Sequence, residues 1–148
     1  LAFSCLSRLL CTLCDRCEAE NTSAAYRMFV YALVEADTTL VRDFAMRNLM
    51  DFLQQHEGVP VGILVELMTK KSQIDHAEPL TVIDIELFVV IAKHPRCTAR
   101  HAEMLAQSLV RPAVESEDMG RTATLPLLVI LRRFAHDVTI VSFFHDFV

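Results

Sequence analysis

At 148 residues the chain has room for one ordinary domain, or for roughly three to four helical hairpins of about 40 residues each. Its 53% hydrophobic and 22% charged residues exclude a disordered chain, and 3 Gly with 5 Pro are too few turn-formers for a β-sandwich or a doubly wound nucleotide-binding fold. The 14 Lys and Arg against 19 Asp and Glu, a net charge of −5, argue against nucleic acid as a partner and against docking on anionic lipid, since both need a basic surface.

The predicted elements are all helical, about eight of them. The first spans residues 2–18. Asn21, Thr22 and Ser23 are candidate N-caps for a second helix, whose apolar face carries Tyr26, Phe29, Val30, Leu33 and Val34 and which stops near Asp37. Thr38 and Thr39 can cap a third helix, 39–56, with Val41, Phe44, Ala45, Leu49, Phe52 and Leu53 on one stripe and Asp43, Arg47 and Asp51 on the opposite face. Gly58 suits the left-handed position after a helix end, and Pro60 the first turn of a fourth helix, 60–71, burying Ile63, Leu64, Leu67 and Met68. Residues 72–78 are polar and predict a loop. The segment 80–93 is apolar on nearly every face, as a helix sandwiched between neighbours requires. Pro95 is expected to open a helix through Val110 with Ala99, Ala102, Leu105, Ala106 and Leu109 facing inward. Residues 111–120, with acids at Glu115, Glu117 and Asp118, read as a connector. A further helix covers 124–136, where Pro126 is tolerable only in the first turn, and Asp137 ends it before a last helix from Thr139.

Three helix junctions resemble those of HEAT repeats, in which an Asp- or Pro-containing turn is followed by Val-Arg and small apolar residues. They are Glu35-Ala36-Asp37-Thr38-Thr39-Leu40-Val41-Arg42-Asp43-Phe44-Ala45, then Ala92 to Ala102 with Pro95 and Arg100, then Ala135 to Ser142, where the Arg is missing. Arg42 and Arg100 lie 58 residues apart and Arg100 and Val141 lie 41 apart, so the second interval matches one repeat and the first implies an extra helix or insertion. The resemblance covers residues 21–148, is a pattern and not a diagnostic motif, and is shared with armadillo-type packing. It implies a right-handed α-solenoid of stacked antiparallel helix pairs, with a structural ladder of Asp37, Arg42 and Arg100 between repeats. It organises residues 1–148 as a single helical-repeat segment: a leading helix at 1–20, first repeats at 21–71, a middle repeat at 79–110 and a last repeat at 121–148. Stacking also makes neighbouring repeats of the same chain each other's partners, because one hairpin cannot bury both its apolar faces.

No constellation points to catalysis, a cofactor or a metal. Cys5, Cys11, Cys14 and Cys17 have metal-like spacing, but on a straight helix Cys11 and Cys17 would stand about 9 Å apart along the axis, too far to share an ion. His76-Ala77-Glu78 with Pro95 and Cys97 lacks the second cysteine of the zinc-deaminase signature, position 100 being Arg. The glycines at 58, 62 and 120 are scattered and form no phosphate loop. Asp84 alone among the carboxylates is embedded in an apolar helix, where pairing with a hydroxyl or an Arg is the ordinary explanation.

The densest apolar runs, 87–92 and 125–131, fall far short of the ~20 residues that cross a bilayer, so no membrane insertion is expected. An odd number of cysteines in a chain with a large aliphatic core suits reduced thiols and an intracellular, cytoplasmic setting. Both ends read as cut from a longer protein. The function expected is that of a protein–protein interaction scaffold or adaptor and not an enzyme. The alternative is an accessory or regulatory helical domain of a larger enzyme, such as a kinase, or of a cytoskeletal or ciliary assembly. Its partner would be a protein or peptide segment gripped by the solvent faces of the second helix in each pair: Asp43, Arg47 and Asp51 on one, Arg96, Glu103 and Gln107 on another.

Overall fold

The structure, a computed structural model, describes residues 19–35, 38–73 and 80–147. Among them are seven helices and no strand: α1 Ala19–Val34, α2 Thr39–Gln55, α3 Gly62–Gln73, α4 Val82–Lys93, α5 Ala99–Glu115, α6 Glu117–Arg133 and α7 Val138–Phe147. The all-helical expectation holds for these residues. The predicted leading helix, with Cys5, Cys11, Cys14 and Cys17, lies outside them, as do the loop residues 74–78. The chain divides into two compact units, the boundary falling between Val59 and Pro60.

In the first unit α1 packs on α2. Asn21, Thr22 and Ser23 lie inside α1, which begins at Ala19, so they do not cap it. The core is aromatic: the Phe52 ring takes Tyr26 at 6.2 Å, Phe29 at 5.3 Å and His56 at 4.4 Å between centroids. Thr38 caps α2, its hydroxyl accepting from the Val41 N–H at 3.3 Å. The buried stripe of α2 is rotated from the one expected. Met46 and Met50 join Ala45, Leu49, Phe52 and Leu53, while Phe44 turns out to solvent. Gly58 has no positive φ; the helix ends instead on His56 in extended backbone, its N–H returning to Phe52.

In the second unit α3 packs on α5, α5 on α7, and α4 on α6, while α5 and α6 form the most extensive pair. Two contacts bring like ends of alternate helices together. The His101 ring, in the first turn of α5, stands against Gly62 at the start of α3, where an added Cβ would come 3.4 Å from Nε2. Arg133, closing α6, reaches the carbonyls at the end of α4, as described below.

Pro60 precedes α3 by two residues and does not sit in its first turn, and α3 runs on through Ser72 to Gln73. Its buried face is Leu64, Val65, Met68 and Thr69; Ile63 is exposed and Leu67 half-buried, a shift of one position from the predicted set. Asp84 is accounted for by a capping box at the start of α4. Its Oδ2 accepts from the Thr81 N–H at 2.7 Å and from the Thr81 hydroxyl at 3.1 Å, and the Asp84 N–H donates back to that hydroxyl. One partner of Asp84 is thus a hydroxyl of the same turn. Pro95 does not open α5; it lies in the preceding turn, and Thr98 caps the helix in a second box whose third member is His101.

The predicted connector 111–120 is the largest error of the sequence reading. α5 continues through Pro112 to Glu115, Ser116 alone forms the corner, and α6 begins at Glu117. Ser116 closes one helix with its N–H on the Pro112 carbonyl at 3.2 Å and opens the next with its hydroxyl on the Met119 N–H at 3.4 Å. The acids that look like loop residues serve helix ends. Glu117 and Asp118 lie in the first turn of α6, where negative charge suits the dipole, and Arg111–Glu115 and Arg121–Glu117 are i,i+4 pairs at 3.0 and 2.5 Å. So tight a corner needs Gly120, since a Cβ there would meet the Ala113 carbonyl oxygen at 2.9 Å. Pro126 sits in the middle of α6 and not in its first turn; buried against the core, it costs one backbone donor there. Asp137 does end the region before α7, as a cap, its Oδ1 accepting from the N–H groups of Thr139 at 3.0 Å and Ile140 at 3.2 Å.

Candidate functional site

The outward face of α5 is the better formed of the two predicted binding faces. The burial of Ala102, Leu105, Ala106 and Leu109 turns the opposite side of the helix to solvent. There Arg100, Gln107 and Arg111 are exposed and Glu103 is half-buried, with the Gln107 amide donating to Glu103 Oε1 at 3.3 Å. Arg96 is exposed but stands in the turn before α5, its backbone N–H donating to His94 Nδ1 at 3.1 Å. On α2, Arg47 and Asp51 are exposed and Asp43 is half-buried. Leu40 and Phe44 share that face, so it is less polar than the sequence pattern suggests. The α2 and α5 sets belong to different compact units, and each is of mixed sign. Both offer hydrogen bonds and charges to a polar ligand.

Of the residues that the resemblance assigns to a ladder, two fall among the described ones. Asp37 lies outside the described residues, Arg42 is half-buried, and Arg100 is exposed on the α5 stripe. The Arg133 guanidinium binds the turn after α4. Its Nη1 donates to the Ala92 carbonyl at 2.5 Å and to the His94 carbonyl at 2.6 Å, its Nη2 reaches the Pro95 carbonyl at 3.4 Å, and its Cζ lies 5.1 Å from the Phe134 ring centre. These carbonyls lie at the α4 C-terminus and the turn after it, where a cation complements the helix dipole; that of His94 also accepts from the Cys97 N–H at 3.0 Å. Sequence reasoning missed Arg133, which lies 41 residues from Ala92.

Cys97 sits in the same turn, buried. Desolvation pushes its thiol up to about 11 despite the opposing pull of Arg133. A nucleophilic cysteine needs the reverse shift, so this thiol acts as a small core residue. No group of three or more His, Cys, Asp or Glu side chains among the described residues could hold a metal ion, and none of the described helices is long and apolar enough to cross a membrane.

Compared with models of protein families, with curated proteins and with solved structures, the chain matches none.

Proposed function

We propose that this chain is a segment of an α-solenoid of the HEAT or armadillo kind that works as a protein-interaction scaffold, holding a protein or peptide segment on the outward faces of its helices. The observation that carries the reading is the alternation in the second unit. There α3, α5 and α7 pack in one series and α4 packs on α6, with like ends meeting at the two contacts made by His101 and Arg133. Helix pairs that bury each other in this way leave one outward face per helix, and such faces join into the extended surfaces by which solenoids hold partners. Fold alone does not set function, so the claim rests on the faces themselves. Both the α2 and the α5 surfaces mix signs, which suits a polar or charged segment better than a purely apolar one.

The test uses the immobilised chain to capture partners from cells, beside two charge-reversed forms, Asp43→Lys/Arg47→Glu/Asp51→Lys and Arg96→Glu/Glu103→Lys/Gln107→Glu. Loss of the same captured protein from one of them, at an unchanged melting temperature, supports the reading. Capture that neither form alters removes both faces from consideration.

A further inference from the structure

The outward face of α6 has an order of its own. Glu117 and Asp118 occupy the first turn, Leu125 and Leu128 stand 60% and 56% exposed in the middle, and Arg132 is exposed in the last turn. At about 100° per residue, Asp118, Arg121, Leu125, Leu128 and Arg132 fall within one narrow stripe. It lies opposite the buried Ala123, Pro126, Leu127 and Ile130. Ordinary surface leucines occur singly; two of them a turn apart, bracketed by charge of opposite sign, form a surface with polarity.

That polarity is symmetric about Leu125. Asp118 lies seven residues before it and Arg132 seven after, so the three occupy equivalent positions of successive heptads, with Arg121 and Leu128 at the other seam position. A stripe that is acidic at one end, apolar in the middle and basic at the other is complementary to itself turned end for end. Arg133 does not disturb this, its guanidinium being engaged with the α4 carbonyls, and Arg121 is paired with Glu117. The first turn thus offers a net negative charge, from Glu117 and Asp118 against Arg121, and the last turn offers Arg132.

We propose that two copies of this chain pair through α6, antiparallel, about a two-fold axis at Leu125. Leu125 of each copy meets its counterpart and Leu128 nests beside it. Asp118 of one copy comes level with Arg132 of the other, twice. The helix dipoles oppose each other, which also favours the antiparallel arrangement. The contact is isologous and therefore closes at a dimer. One helix about 25 Å long gives an interface at the low end of the usual size range, so the association belongs in the micromolar range or weaker. This inference goes beyond the scaffold reading and does not depend on it.

Sedimentation velocity on the 148-residue chain, from about 5 to about 500 µM, spans that range. The expected result is a concentration-dependent monomer–dimer equilibrium. Asp118→Arg or Arg132→Asp alone places like charges together at both ends and weakens it at least about tenfold. The double swap Asp118→Arg/Arg132→Asp restores it to within about threefold, and Leu125→Glu/Leu128→Glu abolishes it. Circular dichroism confirms that each variant retains its helices. A wild-type chain that stays monomeric throughout overturns the proposal, as does a dimer that the single swaps leave intact or a double swap no better than either single. If the wild-type chain is monomeric but the leucine variant loses a protein captured from cells, the face serves another protein and self-pairing is refuted.

Discussion

Replacing Arg133 with Met keeps the aliphatic stem and removes the guanidinium from the end of α4. Two short charge-assisted hydrogen bonds are lost, to the Ala92 and His94 carbonyls at 2.5 and 2.6 Å, together with a longer one to Pro95 at 3.4 Å. Bonds to a charged group contribute about 1.5–3 kcal/mol each. Arg133 is only half-buried, so solvent screens part of that, while Ala92 and His94 are buried and water cannot fully replace the lost donors. Taking the two short bonds near the bottom of the range, the substitution costs about 2–3 kcal/mol. Arg132 is the built-in control. It precedes Arg133, faces solvent and donates to nothing among the described residues, so Arg132→Met changes stability by no more than about 0.5 kcal/mol. Urea melts on dilute protein, followed by far-UV circular dichroism, read both variants. The expected outcome is a lower midpoint for Arg133→Met at an unchanged slope, about 1 M lower for a slope near 2 kcal/mol/M. Indistinguishable melts for the two variants would refute the reasoning, because the α4 end would then owe nothing to Arg133.

Gly120→Ala destabilises the chain by about 1–3 kcal/mol, since its new methyl would sit 2.9 Å from the Ala113 carbonyl oxygen at a corner that cannot open cheaply. Gly58→Ala goes the other way, gaining up to about 1 kcal/mol: no atom lies within 4 Å of the added Cβ and φ is not positive, so the main effect is lost freedom of the unfolded chain. Thermal melts of the pair should move in opposite directions. Cys97 keeps its proton up to about pH 11 when folded, against an ordinary value of 9.0, so between those limits the folded chain binds more protons and stability falls as pH rises. Below pH 9 the thiol contributes no pH dependence. The difference in unfolding free energy between wild type and Cys97→Ala should therefore be flat from pH 7 to about 8.5 and shrink above pH 9; a flat difference to pH 10.5 would show the thiol to be less buried than it is here.

Much of the helical pattern was legible because its signals are local. Thr38 acts as the cap it was expected to be, Asp137 falls at the expected break, and the periodic runs 39–56 and 80–93 appear within two residues at each end. Where the reading failed, two local signals competed. Pro112, Gly120 and three acids between 115 and 118 look like a loop, yet packing between α5 and α6 holds both helices up to a single corner residue. The same packing tolerates Pro126 in the middle of a helix, the lost backbone bond being outweighed by burial on the core. Rotations of the buried face, Phe44 and Ile63 outward and Met50 and Val65 inward, follow from a different limit. An apolar stripe wider than the contact leaves periodicity unable to choose its centre.

The candidate surfaces divide in the same way. Arg47, Asp51 and Gln107 could be placed on solvent faces because their opposite faces are apolar, and that assignment needs only the helical period. What those residues meet is another matter. That Arg133 and not Arg100 binds the turn after α4 depends on the end of α6 lying beside the end of α4, a relation between residues 39 to 41 apart that no local window contains. The exposure of Leu125 and Leu128 is likewise a tertiary fact, since in sequence they are indistinguishable from the buried Leu127 between them. Composition and period thus determined by themselves that the described residues are helical and where some of the helices begin. Which face of each helix is spent on its neighbours, and which is left for a partner, was decided only when the helices packed, because burial is a property of the surfaces that meet and not of the residues taken one at a time.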